Sequence, residues 1–492
     1  MKEVDRRAFV AALGATVGGL LTPPNHAAEL KGVTPGGAGH SGSHPNVIIL
    51  ICDDIGIGDL GCYGSTLNTP NLNRLANEGV RFTRYNTPHA LCSAARASLL
   101  TGRYSSRTGT KPVYFPESPD GLNLDEMTLA NVLREAQYKS MCIGKWHLGS
   151  KLEYLPTSRG FDAYFGVPYS VDMRPLPMIQ DKTVLEENTD RSLLTPRYTE
   201  AAVQFINSSR QDRFFLYLAY SYPHIPIDAS PRFKGKSKRG IYGDAVEEID
   251  WSVGQLMATL ERNHLDENTL LIFTGDHGPW YQGSAAQLRG RKGTTYEGGC
   301  RVPFLARWKG VIPSGHLANG WASHLDIVPT IASVCGARFP SKPLDGVDIL
   351  DLLTGRRDVV EHPIMLYFSA LANYLDLQCV RHDNWKMRIA QFTRSTFVIG
   401  NPPGENLLLS RPELYNLEND PGENYDIARD YPDIVSQLQR AIDLAIQTFP
   451  ENVVQAYREL RKRPDSPTTP VGSESRPASY VCGPYHYDGM PN

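Results

Sequence analysis

The sequence predicts an α/β fold in which a large, mostly parallel or mixed sheet has helices on both faces, with a small subdomain at its C-terminal end. Apolar runs of strand length alternate with helical segments over residues 46–360, which is typical of a doubly wound sheet. Short strand-like segments and an amphipathic helix follow in residues 361–460. A chain of 492 residues that is 41% hydrophobic can bury a core of this size.

The first strand and the first helix of the alternating region are well marked. NVIILIC, residues 46–52, is a continuous apolar run, as expected of a strand that is buried on both faces. Residues 69–79 predict a helix with Thr69 as N-cap and Pro70 in the first helical position. Gly79 marks the point where this helix stops.

Five further segments continue the alternation. Helices are predicted for DEMTLANVLREAQY and for VEEIDWSVGQLMATLERN. Strands are predicted for the apolar runs KSMCIG, RFFLYLAY and TLLIFTG. In folds of this kind, sites lie at the carboxyl ends of the strands.

The C-terminal subdomain, residues 361–460, has a different pattern. PIMLYFSA, LQCVRHDNWKMRIA and TFVIG are separated by polar turns and predict a short antiparallel sheet. The segment YPDIVSQLQRAIDLAIQTF predicts a helix whose apolar face consists of Ile434, Leu438, Ile442, Ala445 and Phe449. Residues 461–492 are rich in Pro and Ser and predict a surface tail.

The first residues predict an export signal. Arg6 and Arg7 precede a weakly apolar run over residues 8–21, and small residues and prolines follow, as in a twin-arginine-type signal peptide. A basic surface helix is the alternative interpretation. We expect a signal peptide in residues 1–30, a linker in 31–45, and a bacterial protein exported by the twin-arginine machinery to the periplasm or the exterior. No later segment has the length of a membrane helix, so the mature chain is expected to lack a membrane span.

Charge and cysteine content exclude some classes of function. A formal net charge of -3 gives no overall basic surface, so nucleic acid is not an expected partner, although an anionic substrate remains possible. Eight cysteines are too few for a disulfide scaffold in a chain of this length. No C-x-x-C pair occurs, which argues against a zinc ribbon.

Polar clusters occur where strands are predicted to end. One cluster alone could be a turn or a helix cap, but several in one doubly wound domain meet at the same edge of the sheet. The five clusters are Asp53 with Asp54, Lys145 with His147, His224, Asp276 with His277, and Lys292.

Two of these clusters predict a metal site. Adjacent residues of a strand point to opposite faces, so Asp53 and Asp54 share a target only if the strand has already ended, and the same holds for Asp276 and His277. Three carboxylates in one place require a cation. The oxygen ligands favour Ca²⁺ or Mg²⁺ over zinc, and the imidazole leaves Mn²⁺ open.

Cations near this metal site have the chemistry to hold a tetrahedral oxyanion and to protonate a leaving group. Each of them alone has a simpler interpretation, as a solvated surface charge or a loop residue. The side chains concerned are Arg96, Lys145, His147, His224 and Lys292.

Cys92 stands at the start of a short helix-like run in CSAARASLLTG. A cysteine in such a position is a core thiol, half of a disulfide, a thiolate nucleophile or the precursor of another group. The residues alone leave these alternatives open.

The segment CSAARASLLTGR resembles the signature of type I sulfatases, in which the cysteine is oxidised after translation to Cα-formylglycine. Ala94 replaces the usual proline, a variant that some sulfatases share. Further blocks resemble the family in the family's order over most of residues 46–426, and GVPYSVDM and KGTTYEGG are similar to the branch of arylsulfatase A and N-acetylgalactosamine-6-sulfatase. These blocks are CDDIGIGDLGCYG, GKWHLG, GFDAYFGVPYS, TGDHG, GRKGTTYEGGCRVPF and LYNLENDPGENYDI.

The resemblance implies an alkaline-phosphatase-like fold, a catalytic domain over residues 46–360, and hydrolysis of sulfate esters by S–O cleavage. Formylglycine made from Cys92 by a maturation enzyme would be hydrated to a geminal diol, one hydroxyl of which is the nucleophile. It would share a divalent metal, Ca²⁺ with Mg²⁺ or Mn²⁺ as alternatives, with four side chains. These are Asp53, Asp54, Asp276 and His277.

The resemblance also assigns roles around the metal. Arg96 would orient the diol, and sulfate oxygens would be held by Lys145 and Lys292 and touched by Ser170. The acid toward the leaving alcohol would be His224 or Lys292. His147 would take the proton of the second hydroxyl, which expels sulfate. The site residues are therefore Arg96, Lys145, His147, Ser170, His224 and Lys292.

By analogy with exported bacterial sulfatases, the expected substrate is a sulfated sugar or polysaccharide. Two alternatives share the fold. One is a phosphomonoester or phosphonate hydrolase, and the other is a non-catalytic relative that binds carbohydrate with an unconverted cysteine. The second ranks lower because every expected catalytic position is filled.

Overall fold

The computed structural model describes residues 44–371, 373–392, 405–463 and 465–466. These residues form a ten-stranded sheet and a five-stranded sheet. The first sheet contains β1 (Asn46–Cys52), β2 (Val80–Asn86), β3 (Lys139–Gly144), β4 (Ala163–Gly166), β5 (Met178–Gln180), β6 (Thr183–Glu186), β7 (Phe214–Ala219), β8 (Thr269–Gly275), β9 (Phe304–Arg307) and β10 (His316–Ser323). The second contains β11 (Met365–Phe368), β12 (Leu377–His382), β13 (Trp385–Phe392), β14 (Asn406–Asn416) and β15 (Asp465–Ser466).

The α-helices range from single turns to 23 residues. They are α1 (Pro70–Asn77), α2 (Cys92–Thr101), α3 (Ser105–Thr108), α4 (Leu129–Glu135), α5 (Leu194–Ser208), α6 (Gly240–Arg262), α7 (Glu297–Cys300), α8 (Ile327–Val334), α9 (Leu350–Leu353), α10 (Pro432–Ile446) and α11 (Glu451–Leu460). None of the described helices is both long and apolar enough to cross a membrane.

The large sheet is mixed, as the sequence predicts. Its order is β10-β2-β9-β8-β1-β7-β3-β4-β5-β6. The central strands β8, β1, β7, β3 and β4 are all parallel to their neighbours in that group. Strand β9 and the β5–β6 hairpin form antiparallel pairs, and the edge strand β10 pairs with β2 in parallel.

Strand β1 shows why a continuous apolar run is needed at the centre of this sheet. Its residues are all buried, and their side chains alternate between two hydrophobic clusters on opposite faces. Val47, Ile49 and Ile51 belong to one cluster, and Ile48 and Leu50 to the other. Helices therefore cover both faces, which confirms the sandwiched sheet.

Helix α1 begins at Pro70 as predicted, but its ends differ from the expectation. The Thr69 hydroxyl does not cap the helix and instead accepts the Gly61 N–H at 2.9 Å. The free N–H groups of the first turn are bound by the Asp250 carboxylate of α6, at 2.8 Å from Leu72 N. Gly79 lies beyond the last helical residue, where a Cβ would stand 2.0 Å from the Ala306 carbonyl oxygen, so it is required by close packing against β9.

The second sheet is antiparallel over β11, β12, β13 and β14, as predicted, and β15 joins β14 in parallel. Helix α10 buries Leu438 and Ile442 as predicted and also Ile446, and Phe449 is buried just beyond its end. The predicted strand TFVIG, the predicted signal peptide, most of the linker and most of the tail lie outside the described residues.

Seven of the eight cysteines lie in the described part of the chain, and each of these seven is a free thiol. They are Cys52, Cys62, Cys92, Cys142, Cys300, Cys335 and Cys379. Cys482 lies outside the described residues.

Candidate active site

The site lies at the carboxyl edge of the central parallel strands. β1 pairs with β7 on one side and β8 on the other, with Cys52 opposite Gly275. β3 pairs with β7, with Gly144 opposite Ala219. The residues that follow these strands therefore meet at one edge, which brings Asp53, Lys145 and Asp276 together.

Both acidic corners begin only after their strands have ended, as the sequence requires. Asp53 and Asp54 follow the last residue of β1, and Asp54 has a left-handed φ of 66°. Asp276 and His277 follow the last residue of β8. The Asp54 N–H donates to Asp276 Oδ1 at 3.3 Å, which joins the two corners. Three buried carboxylates thus face one small space.

Three cations surround these carboxylates. Lys145 Nζ donates to Asp53 Oδ2, and Lys292 Nζ lies 2.7 Å and 2.9 Å from the two oxygens of Asp54. Arg96 donates twice to Asp276 Oδ2, through Nε at 3.2 Å and Nη2 at 3.0 Å. All three cations are buried or nearly so.

The carboxylates respond differently to this environment. Burial alone raises the pKa of Asp53, but Lys145, His224 and Arg96 outweigh it and hold the pKa well below its ordinary range. At Asp54 burial also raises the pKa, but the charge of Lys292 outweighs burial, so the pKa of Asp54 is lowered. At Asp276 burial prevails, with the negative charge of Asp53 adding to it, so that pKa is raised. A further positive charge at this corner would stabilise the ionised form of Asp276.

Cys92 is the first residue of α2 and is 2% exposed. Its Sγ lies 3.5 Å from Asp53 Oδ1 and 3.2 Å from His277 Nε2. Burial raises the pKa of the thiol far above its ordinary value, although Lys145 and Lys292 oppose the shift. A thiol that stays protonated is a poor nucleophile. Because its neighbours are a carboxylate and an imidazole, Cys92 is not part of an apolar core either.

The donor atoms fit a divalent metal. Two overlapping sets of four ligand atoms each lie within 4.8 Å of one another and are fully buried. Each set combines two carboxylates with one imidazole and the Cys92 thiol, and the carboxylate oxygens suit a hard cation such as Ca²⁺ or Mg²⁺. The sets are Asp53, Asp54, Cys92 and His224, and Asp53, Cys92, Asp276 and His277.

His147 has the geometry of a base. Its Nε2 lies 3.0 Å from the Tyr114 carbonyl oxygen, so Nε2 carries the proton and Nδ1 holds the lone pair. Nδ1 is buried and has no hydrogen-bond partner among the described residues. Burial lowers the pKa of His147 well below its usual value, and Lys145 and Arg96 lower it further, so the ring is neutral.

His224 contacts Ser170 and approaches Asp54. Its Nδ1 is hydrogen-bonded to the Ile225 carbonyl, which directs Nε2 toward Ser170 Oγ at 3.4 Å and Asp54 Oδ2 at 3.9 Å. Ser170 Oγ also accepts from Lys145 Nζ at 3.0 Å. The structure therefore places all the predicted site residues around one centre.

Lys292 does not follow a strand directly, contrary to the prediction. It lies in the long loop of residues 276–296 between β8 and α7, called here the Lys292 loop. This loop folds back on the site because the Lys292 N–H donates to the Pro279 carbonyl at 3.1 Å and the Gly293 N–H donates to the Ala90 carbonyl at 2.9 Å.

The second sheet holds the far end of the Lys292 loop. The buried Thr295 hydroxyl donates to Gln378 Oε1 at 2.8 Å and accepts from Arg388 Nη1 at 3.0 Å. At the first residue of α7, the Glu297 N–H donates to the Glu423 carboxylate. The C-terminal sheet thus supports a loop that supplies a site residue.

Sequence reasoning missed His324. It follows β10 directly and its Nε2 lies 3.1 Å from the main-chain oxygen of Asp276, while Nδ1 lies 3.3 Å from Tyr85 Oη. Burial lowers the pKa of His324 to about 3, so it is a neutral positioning residue. The strand-end criterion would have found it, had the strand before it been recognised.

Known proteins resemble this chain over most of its length. The sulfatase family model matches residues 45–337. The chain belongs to the sulfatase family. Human arylsulfatase A is 36% identical over 84% of this chain and 90% of its own. The solved structure of the PsFucS1 sulfatase from Pseudoalteromonas sp. has a TM-score of 0.75 and 28% identity, covering 83% of this chain and 91% of that chain.

A third similar protein is Ps i-CgsB, solved in complex with k-i-k-neocarrahexaose, with a TM-score of 0.69 and 27% identity over 82% of this chain and 92% of that chain. These similarities place this sulfatase near the arylsulfatase A branch, with an alkaline-phosphatase-like fold. It is a sulfuric ester hydrolase.

Proposed function

We propose that this sulfatase hydrolyses sulfate esters of carbohydrates, using formylglycine made from Cys92 and Ca²⁺ bound by Asp53, Asp54, Asp276 and His277. One observation carries the proposal. The Sγ of Cys92 lies beside Asp53 and His277 at the start of a helix, so an oxygen on the same Cβ would lie at the same corner. The helix N-terminus there favours negative charge on that oxygen.

Hydrated formylglycine would supply two hydroxyls on one carbon, one to attack sulfur and one to lose its proton when sulfate is expelled, and Ca²⁺ would supply positive charge. The protein supplies the rest. Arg96 is fixed by Asp276 and by the Lys145 carbonyl at 2.8 Å from Nη1, so its guanidinium can orient the hydroxyls. Mg²⁺ and Mn²⁺ remain alternatives for the same donor set.

Lys145, Lys292 and Ser170 would bind the sulfate group. The two ammonium groups lie on different carboxylates of the site, and Ser170 Oγ lies 3.0 Å from Lys145 Nζ. Burial alone lowers the pKa of Lys292, but Asp54 outweighs it and raises the pKa, so the ammonium stays charged. Two fixed cations are complementary to charge that develops on sulfate oxygens during S–O cleavage.

Proton transfer would be divided between two histidines. His224 directs Nε2 into the site and would protonate the departing alcohol, while the charged Lys292 is better suited to binding. His147 presents the free lone pair of Nδ1 and would accept the proton of the second hydroxyl. In each histidine, one ring nitrogen is hydrogen-bonded to a main-chain carbonyl, and the proposed role is given to the other ring nitrogen.

A sulfated sugar or polysaccharide is the proposed substrate, and a similar protein of known structure supports it, since Ps i-CgsB was solved with k-i-k-neocarrahexaose. We further propose a catalytic domain over residues 46–360 and a C-terminal subdomain over 361–460. Residues 1–30 would direct export by the twin-arginine machinery, and a maturation enzyme would convert Cys92. These last assignments rest on the sequence.

The proposal is tested by assaying an aryl sulfate and the matching aryl phosphate on one preparation, with mass spectrometry of the peptide that contains residue 92. We expect an aldehyde in place of the thiol and a clear preference for the sulfate ester. Cys92→Ala is the control and should be inactive. A preference for phosphate would favour the phosphate or phosphonate hydrolase alternative, and an unconverted cysteine in fully active enzyme would refute the formylglycine.

A further inference from the structure

We propose that residues 232–239, called here the basic loop, form a second anion-binding subsite for another sulfate group of a polysulfated carbohydrate chain. The inference rests on the proposed carbohydrate substrate and narrows it to a polymer or oligomer with several sulfates.

The basic loop lies on the same edge of the sheet as the active site. It belongs to the connection between the end of β7 at Ala219 and the start of α6 at Gly240, and the same connection carries His224. The first turn of α6 is tied to the site, because Tyr242 Oη donates to Asp59 Oδ2 at 2.6 Å. Asp59 Oδ1 in turn accepts the Ser284 N–H of the Lys292 loop at 3.0 Å.

Five exposed cations lie within the eight residues of the basic loop. Two of them have partners, since Lys234 Nζ lies 2.9 Å from Asp228 and the Arg232 guanidinium lies 4.8 Å from the Trp251 ring centre. The other three form no ion pair with any described residue. The five are Arg232, Lys234, Lys236, Lys238 and Arg239.

The backbone of the basic loop is fixed from below. The Asp244 carboxylate, which is 2% exposed, accepts N–H bonds from Gly235 at 2.7 Å, Lys236 at 3.0 Å and Ser237 at 2.7 Å. Like charges are therefore held close together although they repel one another.

The cations also lie at the unfavourable end of a helix. α6 has 23 residues and no acidic residue in its first turn, so its dipole adds to the repulsion among Lys236, Lys238 and Arg239. None of these three cations forms an ion pair with a described residue, and the nearby carboxylates of Asp244 and Glu247 accept hydrogen bonds from the loop backbone and from the Ser237 hydroxyl instead. A row of bound anions would offset both the repulsion among the cations and the unfavourable helix dipole. A sulfated chain with one ester in the active site would place further sulfates at the rim of that site.

Direct binding of dextran sulfate tests the subsite without relying on catalysis. In calorimetric titrations, the triple variant Lys236→Ala/Lys238→Ala/Arg239→Ala should bind dextran sulfate about tenfold more weakly than the wild type at low salt. The matched control removes three exposed cations from α10, α11 and the following turn, as Arg440→Ala/Arg458→Ala/Lys462→Ala, and should bind like the wild type. The double variant Lys236→Arg/Lys238→Arg keeps both charges and should bind dextran sulfate like the wild type.

A polycarboxylate distinguishes the class of anion. Polygalacturonate should bind the wild type more weakly than dextran sulfate, because sulfate groups give the latter a higher charge density. Unchanged binding of dextran sulfate by the triple variant would overturn the subsite, and equal binding of polygalacturonate would overturn the sulfated class. Absence of aryl sulfate hydrolysis in the wild type would instead refute the proposed function, because the titration needs no turnover.

Discussion

Two residues of the site hold a backbone conformation that side chains rarely adopt. Asp54 has φ 66° and His147 has φ 60°, and neither is glycine. Such conformations cost on the order of 1–3 kcal/mol each and persist where the surrounding structure imposes them. Here they direct the Asp54 N–H to the Asp276 carboxylate and the His147 ring to the Tyr114 carbonyl, so local strain helps to position two residues of the site.

The carboxylates should be essential for activity. Asp53→Asn and Asp276→Asn each remove the charge of a proposed metal ligand, and we expect kcat/KM to fall more than about 100-fold, since loss of outer partners alone can reduce metal affinity by that much. Prolonged chelation of the wild type should have the same effect. Asp433→Asn, an exposed change at the start of α10, is the control. Full activity in either site variant, or in the chelated enzyme, would refute the metal site.

Cys92→Ser separates formylglycine from an ordinary nucleophile. A serine hydroxyl beside Asp53 and Arg96 can attack sulfur, but it lacks a second hydroxyl to release sulfate. We expect at most one slow turnover, with sulfate retained on the peptide that carries the new serine. Sustained release of free sulfate in clear excess over enzyme would contradict the assigned role of Cys92.

Much of this site could be predicted from the sequence, because acidic residues that directly follow apolar strands indicate where the site lies. Asp53, Asp54, Asp276 and His277 directly follow buried apolar runs. Resemblance to the family, rather than a strand end, identified Ser170, and Lys292 was assigned to a strand end although it lies in a long loop. His324 was missed because the strand HLANGWAS has no apolar pattern of its own and is defined by its pairing with β2.

At the scale of elements, the sequence predicts strand and helix bounds best where the residues of the segment itself determine them. β1, β3 and β8 have the bounds that their apolar runs predict. The N-terminus of α1 breaks the local rule, because its free N–H groups are satisfied by Asp250 from α6 rather than by Thr69. A carboxylate 178 residues away in sequence cannot be recognised as a cap from the segment that it caps.

The 3-10 helix His324–Asp326 provides a pH-dependent contact between elements. Asp326 Oδ2 accepts the Ser323 N–H at 2.7 Å and lies 3.1 Å from His362 Nε2. Burial lowers the pKa of His362, but the charge of Asp326 outweighs burial, so the pKa is raised above its ordinary value. The stabilisation is therefore complete below the unfolded pKa of about 6.5 and is lost as pH rises through the folded pKa.

His362→Gln should reveal this contact, because glutamine retains a neutral donor and cannot gain a proton. We expect the variant to be less stable than the wild type by about 1.5–3 kcal/mol at low pH, the range for hydrogen bonds to charged groups. The difference should shrink in alkaline solution. Thermal denaturation at about pH 5.5 and at about pH 9 measures it. A difference that is constant or grows with pH would contradict the charged pair.

At the scale of the whole molecule, the two sheets cooperate in building one site. Lys292 belongs to a loop between strands of the first sheet, yet Thr295 in that loop is held by Gln378 and Arg388 of the second. The second sheet therefore holds the loop that carries Lys292, which is proposed to bind sulfate. This coupling could not be predicted from sequence, because it depends on how two sheets pack.

Thr295→Val tests that coupling. The change preserves shape and removes the hydroxyl, and we expect kcat/KM for an aryl sulfate to fall about 10-fold or more, since small displacements in a site are costly. Circular dichroism should show an intact fold. Thr259→Val, which removes a buried hydroxyl on α6 that bonds the Gln255 carbonyl at 2.8 Å, is the control. Equal activity of the two variants would show that the second sheet does not position the loop.

The burial of Cys92 imposes an order of events on the life of the protein. A thiol that is 2% exposed at the base of the site is out of reach of any enzyme that must take up its peptide segment. The proposed oxidation of Cys92 must therefore precede folding, and on the proposed twin-arginine route, which carries folded chains, it must also precede export. Modification of Cys92 must then be faster than the folding step that packs the large sheet against α2. The fraction of active enzyme in a preparation therefore depends on the rate of modification relative to the rate of folding. A chain that folds before Cys92 is modified stays inactive.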